Sequence, residues 1–338
     1  MHGNKYGTHR VMYPKGVLPQ PALRLNNNFS KIYDNEILCD VLTLNIDAAS
    51  FEDIKRRANN DEEKIKEIIM HIVNMSGKHK NPRTGSGGVF IGQVSKIGNY
   101  LKNKINLREG DLIVSLVSLS LTPLRVDKIY FVGMDNDQVD IKGQAILFES
   151  SIWAKLPEDI PGRLALAVLD VCGAPAQVER LVKPNDVVAV LGARGKSGLL
   201  CCYQAKKNGG HVVAIVHSNK NIEDVNDAQF IDEVIIASAD NALEMYEKVG
   251  PRCDVVVNCV SQKNCEMGAI MITKDRGKVY FFSMATDFTK AALGAEGIKK
   301  DIDMMIGNGY CKGHAKLALD IIRKDAYLRS LYEKRYCR

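Results

Sequence analysis

Hydrophobic residues follow two different patterns along the chain, and the change falls near residue 155. Before it, short apolar runs of strand length are separated by Gly, Pro and Asn, as in a β-rich domain. The predicted strands cover residues 37–44, 89–97, 111–116, 129–133 and 143–148. Residues 51–75 differ, because Ile and Val recur there at helical spacing among many charges. They predict one or two surface helices inserted in that domain.

After residue 155, helical and strand-like segments alternate. The predicted helices cover 164–171, 176–181 and 196–208, and an amphipathic helix runs from 314 to about 333. The predicted strands cover 187–192, 211–217, 233–237, 254–259, 278–283 and 303–306. This alternation predicts an α/β domain with a doubly wound parallel sheet.

Composition limits the classes of protein to consider. The 338 residues exceed the usual size of one core, and the 46 basic and 40 acidic residues are interleaved, which disfavours nucleic acid as a partner. Nine cysteines without a Cys-x-x-Cys pair predict neither a disulfide framework nor a structural zinc lobe. The first residues lack an apolar signal core, and no apolar run approaches the ~18 residues of a membrane span. We therefore expect a cytoplasmic protein that does not enter a membrane.

The stretch VVAVLGARGKSG, residues 187–198, contains the ending of a Walker loop, Gly195-Lys196-Ser197. A Walker loop also needs a glycine with four residues between it and Gly195, and Val190 occupies that position. The alternative is a Rossmann turn, in which Gly192 permits a tight turn, Gly195 admits the pyrophosphate and Gly198 lets the helix pack on the sheet. The strand before and the helix after favour this dinucleotide site.

Further cofactor residues are expected around this turn. Arg194 and Lys196 are either phosphate ligands or solvated charges. The second strand ends in His217-Ser218-Asn219, where an NAD site usually has a carboxylate, so NAD and NADP both remain open. Asn258 and Ser283 end parallel strands and either contact the cofactor or cap turns. The candidate cofactor residues are Gly192, Ala193, Arg194, Gly195, Lys196, Ser197, Gly198, His217, Ser218, Asn219, Asn258 and Ser283.

A β-rich half followed by this Gly-x-x-Gly-x-x-Gly half resembles the medium-chain dehydrogenase/reductase superfamily. The resemblance implies a GroES-like catalytic domain over 1–155, completed by about 310–338, and a Rossmann domain over 156–309. More narrowly, KYGTHRVMYPKGVLPQP, DVLTLNIDAASF, SGKHKNPRTGSGG and VLGARGKSG are similar to the amine-oxidising dehydrogenases of anaerobic lysine fermentation. That similarity implies oxidative deamination of L-erythro-3,5-diaminohexanoate at C3, giving 5-amino-3-oxohexanoate, ammonium and a reduced nicotinamide cofactor.

The catalytic zinc of many superfamily members requires three protein ligands. At the positions where those members have the first two zinc ligands, this chain has Ile46-Asp47 and Gly87-Gly88-Val89. Only Cys172 falls near the third position, so we expect a zinc-free site with Cys172 lining a pocket.

The superfamily match suggests which side chains meet the substrate. Asp47 is a base or an ammonium ligand, Lys78 and His79 exchange protons or bind a carboxylate, and Arg83 suits a carboxylate. Glu149 and Asp170 are candidates for the C5 ammonium. Each has an ordinary alternative as a surface charge or helix cap. The candidate substrate residues are Asp47, Ser50, Lys78, His79, Arg83, Glu149, Asp170 and Cys172.

Two other functions fit the same architecture. A zinc-free quinone or enoyl reductase needs an apolar site, and a redox-sensing module binds the dinucleotide without turnover. Polar groups in NIDAAS and SGKHKNPRTGSGG favour the diamino acid dehydrogenase. We further expect a homodimer with a small-molecule substrate, since symmetric self-association is common.

Overall fold

The computed structural model describes residues 1–337. They form two compact units: unit 1 comprises Met1–Asp170 with the end of the chain from Arg335 on, and unit 2 comprises Val171–Lys334. The predicted combination of a β-rich part with a doubly wound parallel sheet is confirmed.

Unit 1 is built around a six-stranded antiparallel sheet in the order β6-β7-β3-β4-β5-β8. Its strands, with a separate two-stranded sheet formed by β1 and β2, are β1 Val11–Tyr13, β2 Arg24–Leu25, β3 Glu36–Ile46, β4 Gly88–Ile97, β5 Leu112–Ser115, β6 Leu124–Val132, β7 Gln138–Phe148 and β8 Trp153–Lys155. Its helices are α1 Ala48–Arg57, α2 Glu62–Ser76 and α3 Gly162–Asp170. A short 3₁₀ helix, Thr8–Arg10, precedes β1.

The charged stretch after β3 forms two helices that cover the sheet. Asp47 and Asp61 cap their N-termini, and Asn59 and Asn60 adopt positive φ between them, which separates the helices. Their apolar faces join the core of unit 1 through buried side chains such as Phe51. Where the pattern predicts one or two surface helices over residues 51–75, the structure has α1 and α2, and α1 begins three residues earlier than the pattern indicated because Asp47 caps it.

Unit 2 contains a six-stranded parallel sheet in the order β11-β10-β9-β12-β13-β14. Its strands are β9 Val187–Leu191, β10 His211–Val216, β11 Glu233–Ile236, β12 Cys253–Asn258, β13 Thr273–Phe281 and β14 Asp303–Ile306. Its helices are α4 Gly173–Leu181, α5 Lys196–Lys207, α6 Glu223–Asn226, α7 Ala242–Val249, α8 Glu266–Ile272, α9 Phe288–Gly297, α10 His314–Lys324 and α11 Ala326–Tyr336. Successive strands β10 and β11 lie on one side of β9, and β12, β13 and β14 lie on the other side. Sheets of this kind bind ligands in the crevice between the two central strands, here β9 and β12.

The prediction of one long helix over 314–333 is wrong. The chain breaks at Asp325, whose side chain accepts a hydrogen bond from the Leu328 amide at 2.8 Å and so caps α11. Helix α10 packs against α4 and α5, so the segment up to Lys334 groups with the parallel sheet. The division drawn from the sequence, with a boundary at 155 and about 310–338 completing the first domain, stays a prediction. Among residues 1–337, no helix combines the length and apolar character that crossing a membrane requires.

Candidate active site

The turn between β9 and α5 has the geometry that its glycines predict. Gly192 has a φ of +73°, and its amide donates to the Ile215 carbonyl at 3.0 Å. A Cβ on Gly198 would lie 2.3 Å from the Gly192 carbonyl oxygen, so only glycine allows the helix to approach the strand so closely. A Cβ added to Gly195 would have one near neighbour, the carbonyl oxygen of Gly192 at 3.1 Å, so the space beside Gly195 is otherwise open.

The first turn of α5 offers donors for a phosphate. Its first helical hydrogen bond runs from the Leu199 amide to the Gly195 carbonyl at 3.1 Å, so the amides of Lys196, Ser197 and Gly198 have no acceptor inside the helix. These amides and the positive end of the helix dipole suit a pyrophosphate. Arg194 and Lys196 are half-buried in the same turn, and Ala193 is fully buried beneath it. The turn therefore fits the predicted dinucleotide.

Beside the end of β10 lies a carboxylate that sequence reasoning missed. His217, Ser218 and Asn219 are exposed there, and the Nδ1 of His217 lies 3.3 Å from Ser238 Oγ. Ser238 Oγ donates to Asp240 Oδ1 at 2.5 Å, and Gln262 Nε2 donates to Asp240 Oδ2 at 2.7 Å. Asp240 follows the neighbouring strand β11 and not β10, so the residues that end β10 gave no indication of it. No motif or periodic signal pointed to Asp240, because its contact with Gln262 joins segments that are 22 residues apart in the chain.

Asn258 and Ser283 both hold turns at the carboxyl end of the sheet. Asn258 Oδ1 accepts from the Val260 amide at 3.0 Å, and its carbonyl accepts from the Ser283 amide at 3.2 Å. Ser283 Oγ accepts from the Ala285 amide at 3.1 Å. The structure therefore gives both residues the turn-capping contacts that were the alternative to cofactor binding.

In unit 1, Asp47 occupies the junction of β3 and α1. Its Oδ1 accepts from the amides of Ala49 and Ser50, at 3.1 and 3.3 Å, and from Ser86 Oγ at 3.1 Å. No residue of the described chain donates to Oδ2, and the side chain is half-buried. The carboxylate is thus held through one oxygen and leaves the other for a ligand.

Three hydroxyl groups surround this contact. Ser50 Oγ, which is buried, lies 2.6 Å from Thr84 Oγ1 and 2.7 Å from Ser86 Oγ. Thr84 Oγ1 and Ser86 Oγ are 3.0 Å apart. This hydroxyl triad, Ser50, Thr84 and Ser86, joins α1 to the loop before β4. Thr84 and Ser86 were not predicted, because isolated hydroxyl residues in a loop have no periodic signal.

Arg83 forms an ion pair with Asp53, an acidic residue of α1. Its Nη1 donates to Asp53 Oδ1 at 3.3 Å, and Asn81 Nδ2 donates to Asp53 Oδ2 at 3.2 Å. Burial acts to raise the pKa of Asp53, but the hydrogen bond from Asn81 and the positive charge of Arg83 outweigh it, so the pKa lies below its usual value. The Arg83 side chain itself is 60% exposed. It can therefore present its remaining donors to a carboxylate ligand.

Lys78 and His79 lie in the interior. Lys78 Nζ donates to the carbonyls of Pro19 and Gln20 at 2.6 and 3.0 Å, and no carboxylate in the described chain pairs with it. Burial, with a smaller contribution from the charge of Lys80, lowers its pKa to about 7. Burial lowers the pKa of His79 to about 4, and no regular hydrogen bond reaches either ring nitrogen. Both residues are uncharged or easily discharged groups packed beneath the loop.

The structure does not bring Glu149 to Asp47. Antiparallel pairing sets Glu36 opposite Phe148 and Asn45 opposite Gln138, so Glu149 and Asp47 follow opposite ends of this strand pair. Ten residues of strand separate those ends by about 30 Å. Glu149 instead accepts from Asn35 Nδ2 at 3.0 Å.

The two remaining candidates flank the boundary between the units. Asp170 is the last residue of α3 in unit 1, and Cys172 is a buried cysteine, outside any disulfide, that precedes α4 in unit 2. Their proposed roles at the substrate stay predictions.

Comparison with known sequences gives one consistent result. Residues 9–157 match a family model described as the L-erythro-3,5-diaminohexanoate dehydrogenase N-terminal domain. A relative of that name from Acetoanaerobium sticklandii is 53% identical over 344 aligned residues, covering 99% of this chain and 100% of the relative. Another of that name, from Fusobacterium nucleatum subsp. nucleatum, is 50% identical over 345 residues, with 99% of each chain covered.

Solved structures resemble the chain in fold. A mycobacterial protein solved with NADPH gives a TM-score of 0.59 at 16% identity, covering 89% of this chain and 84% of that one. A quinone oxidoreductase from Coxiella burnetii gives 0.57 at 17% identity, covering 90% and 84%. At these identities the likeness shows the fold alone.

Proposed function

Because the chain belongs to the L-erythro-3,5-diaminohexanoate dehydrogenase family, we propose that it oxidatively deaminates L-erythro-3,5-diaminohexanoate at C3. It is an oxidoreductase. The proposed products are 5-amino-3-oxohexanoate, ammonium, a proton and the reduced cofactor, as a step of lysine fermentation. The observation that carries the proposal is the 50–53% identity over 99% of the chain.

The proposed cofactor is a nicotinamide dinucleotide, which when bound accepts the hydride from C3. The amides of Lys196, Ser197 and Gly198 would hold its pyrophosphate. We propose NAD rather than NADP, because the carboxylate of Asp240, linked through Ser238 to His217, opposes a 2′-phosphate placed beside it. No zinc ligand set is part of the proposal.

The proposed substrate contacts lie in unit 1. The open Oδ2 of Asp47 would bind an ammonium group, and the exposed guanidinium of Arg83 would bind the carboxylate. Asp53 and the hydroxyl triad would hold these two side chains in place. In this assignment Lys78, tied to the carbonyls of Pro19 and Gln20, supports the surrounding loop from the interior.

The chemistry requires proton movements as well as hydride transfer. An alkyl ammonium is mostly charged at neutral pH, so the C3 amine must lose a proton before hydride leaves the carbon. Transfer leaves a C3 iminium, water adds to it, and the resulting carbinolamine collapses to the ketone and ammonium. In this proposal the carboxylate of Asp47 would bind the entering ammonium and accept the proton that the C3 amine loses before hydride transfer, and it would then release to solvent the proton counted among the products.

We also propose that the protein is a homodimer. Among the strands of residues 1–337, β14 is an edge of the parallel sheet and pairs only with β13, and its Met304 and Ile306 side chains are exposed. The unpaired N–H and C=O groups of an apolar edge strand can form hydrogen bonds with a strand of a second chain. Sedimentation of the purified protein tests the subunit number.

The test of the proposed function follows cofactor reduction at 340 nm with 3,5-diaminohexanoate and chelator-treated protein, with ammonium assayed in parallel. We expect reduced cofactor and ammonium in equal amounts, faster with NAD than with NADP. Turnover of quinones or enoyl thioesters without any reaction of the diamino acid would instead establish the alternative reductase. Binding of dinucleotide without turnover of either substrate class would indicate a sensor.

A further inference from the structure

The last helix of the chain reaches the phosphate-binding turn. Tyr332 in α11 is fully buried, and its hydroxyl donates a hydrogen bond to the carbonyl oxygen of Lys196, the first residue of α5. These residues lie 136 positions apart. No motif in the sequence connects them, and the contact exists because α10 packs on α5 and α11 follows it directly.

The peptide group that receives this hydrogen bond also carries a proposed phosphate donor. The carbonyl of Lys196 and the amide of Ser197 belong to one planar trans peptide unit, so the C=O and N–H point in opposite directions. The Ser197 amide lies before the first helical hydrogen bond of α5 and has no acceptor within the helix. A donor on the carbonyl side fixes the orientation of that plane and polarises the N–H on the other side.

We propose that Tyr332 is a positioning residue of the dinucleotide site, which orients and strengthens the Ser197 amide as a donor to the pyrophosphate. This inference rests on the proposed binding of a dinucleotide and adds a residue that is remote in sequence. A single neutral hydrogen bond contributes about 0.5–1.5 kcal/mol, so its loss weakens dinucleotide binding roughly three- to tenfold.

Tyr327 provides a matched control on the same helix. Its hydroxyl also donates to a main-chain carbonyl, that of Glu223 at 3.3 Å, in the short helix α6. Replacing either tyrosine by phenylalanine removes one such hydrogen bond. Only the substitution of Tyr332 acts on a peptide group of the phosphate-binding turn.

The experiment measures Kd by titration calorimetry for NAD and for adenosine, which lacks the pyrophosphate, with wild type, Tyr332→Phe and Tyr327→Phe. We expect Tyr332→Phe to raise the Kd for NAD roughly three- to tenfold, with adenosine binding unchanged and Tyr327→Phe equal to wild type. Unchanged NAD binding in Tyr332→Phe, or equal loss for NAD and adenosine, would overturn the inference. A wild-type protein that binds no dinucleotide would overturn the proposed function, and this inference with it.

Thermal melting of the three proteins separates a local effect from general loosening. The positioning role predicts a Tyr332→Phe protein that melts in the same range as Tyr327→Phe and still loses NAD affinity. If NAD affinity falls only in proportion to a lowered melting temperature in both variants, Tyr332 is structural and the inference is wrong.

Discussion

Two glutamates that each pair with one arginine and one histidine differ in burial, and the buried one, Glu36, also accepts from the Tyr33 amide at 2.9 Å. Glu36 accepts from Arg10 Nε and Nη2 at 2.8 and 2.6 Å and lies 2.8 Å from His9 Nε2, and its side chain is fully buried. Glu233 likewise accepts from Arg252 and His211, but its side chain is 34% exposed. We predict that Glu36→Gln destabilises the protein several times more than Glu233→Gln.

The pKa values alone do not distinguish the two sites. For Glu36, burial acts to raise the pKa, but hydrogen bonds from Arg10 and His9 outweigh it and lower the pKa from 4.5 to about 2. For Glu233, hydrogen bonds from Arg252 and His211 also lower it to about 2. The difference between 4.5 and about 2 corresponds to about 3 kcal/mol of unfolding free energy for the buried group. Solvent screening reduces the contribution of an exposed pair to about 0.2–1 kcal/mol.

Removing the charge of Glu36 also leaves Arg10 buried without its counter-ion, so the loss is expected at about 3 kcal/mol or more. Because the folded pKa of Glu36 lies below the unfolded one, its stabilisation is complete above pH 4.5 and disappears as the pH falls towards 2. The difference between wild type and Glu36→Gln should therefore shrink between pH 7 and pH 3.

The assay is urea unfolding of wild type and both variants at each pH. Fluorescence of Trp153, the single tryptophan, reports on unit 1 around Glu36, and hydrogen exchange in peptides of β10 and β11 reports on unit 2 around Glu233. Equal losses of unfolding free energy at pH 7, or a Glu36→Gln effect that does not shrink at pH 3, would refute this reasoning.

Three further predictions concern the candidate sites. Because Lys78 has a pKa of about 7 when folded and an ordinary one near 10.5 when unfolded, the unfolding free energy rises between pH 7 and 10.5, and Lys78→Met should abolish this rise in melts across that range. Ser86→Ala should raise KM for the diamino acid roughly three- to tenfold with a smaller change in kcat, and Ser86→Thr should restore it; steady-state kinetics that show a loss in kcat alone would contradict a binding role for Asp47. Asp240→Ala should bring kcat/KM with NADP towards that with NAD, and an unchanged ratio would show that this carboxylate does not select the cofactor.

The regular parts of the fold were predictable because each has a periodic signal. Strands β9 and β10 were predicted to within one residue, since buried parallel strands are continuous apolar runs. The short edge strand β14 was predicted to the residue, although its side chains are largely exposed. Strands β1, β2 and β8 were missed, because two or three residues are too few to show alternation. The break between α10 and α11 was missed because a helix cap and an exposed helical aspartate look alike in a sequence.

The candidate site was predictable only where one residue type is required locally. The glycines of the phosphate turn could be found because backbone geometry demands them. Asp240, Asp53 and Tyr332 could not, since each acts through a contact between segments far apart in the chain. Glu149 was a candidate for the C5 ammonium because it lies near the predicted domain junction, and the antiparallel register places it at the end of the β3–β7 pair opposite to Asp47. The remaining assignments stay predictions for the experiments above.

In the proposed substrate site, the position of Asp47 restricts which residues could replace it when the specificity changes. The same oxygen that accepts from the Ser86 hydroxyl also caps α1, so whatever residue replaces Asp47 must still satisfy the amides of Ala49 and Ser50. Only Asn, Ser and Thr combine that capping ability with a side chain of comparable size. A residue that replaces Asp47 must therefore first allow α1 to form. Libraries randomised at position 47 and selected only for folding should be enriched in those few residue types.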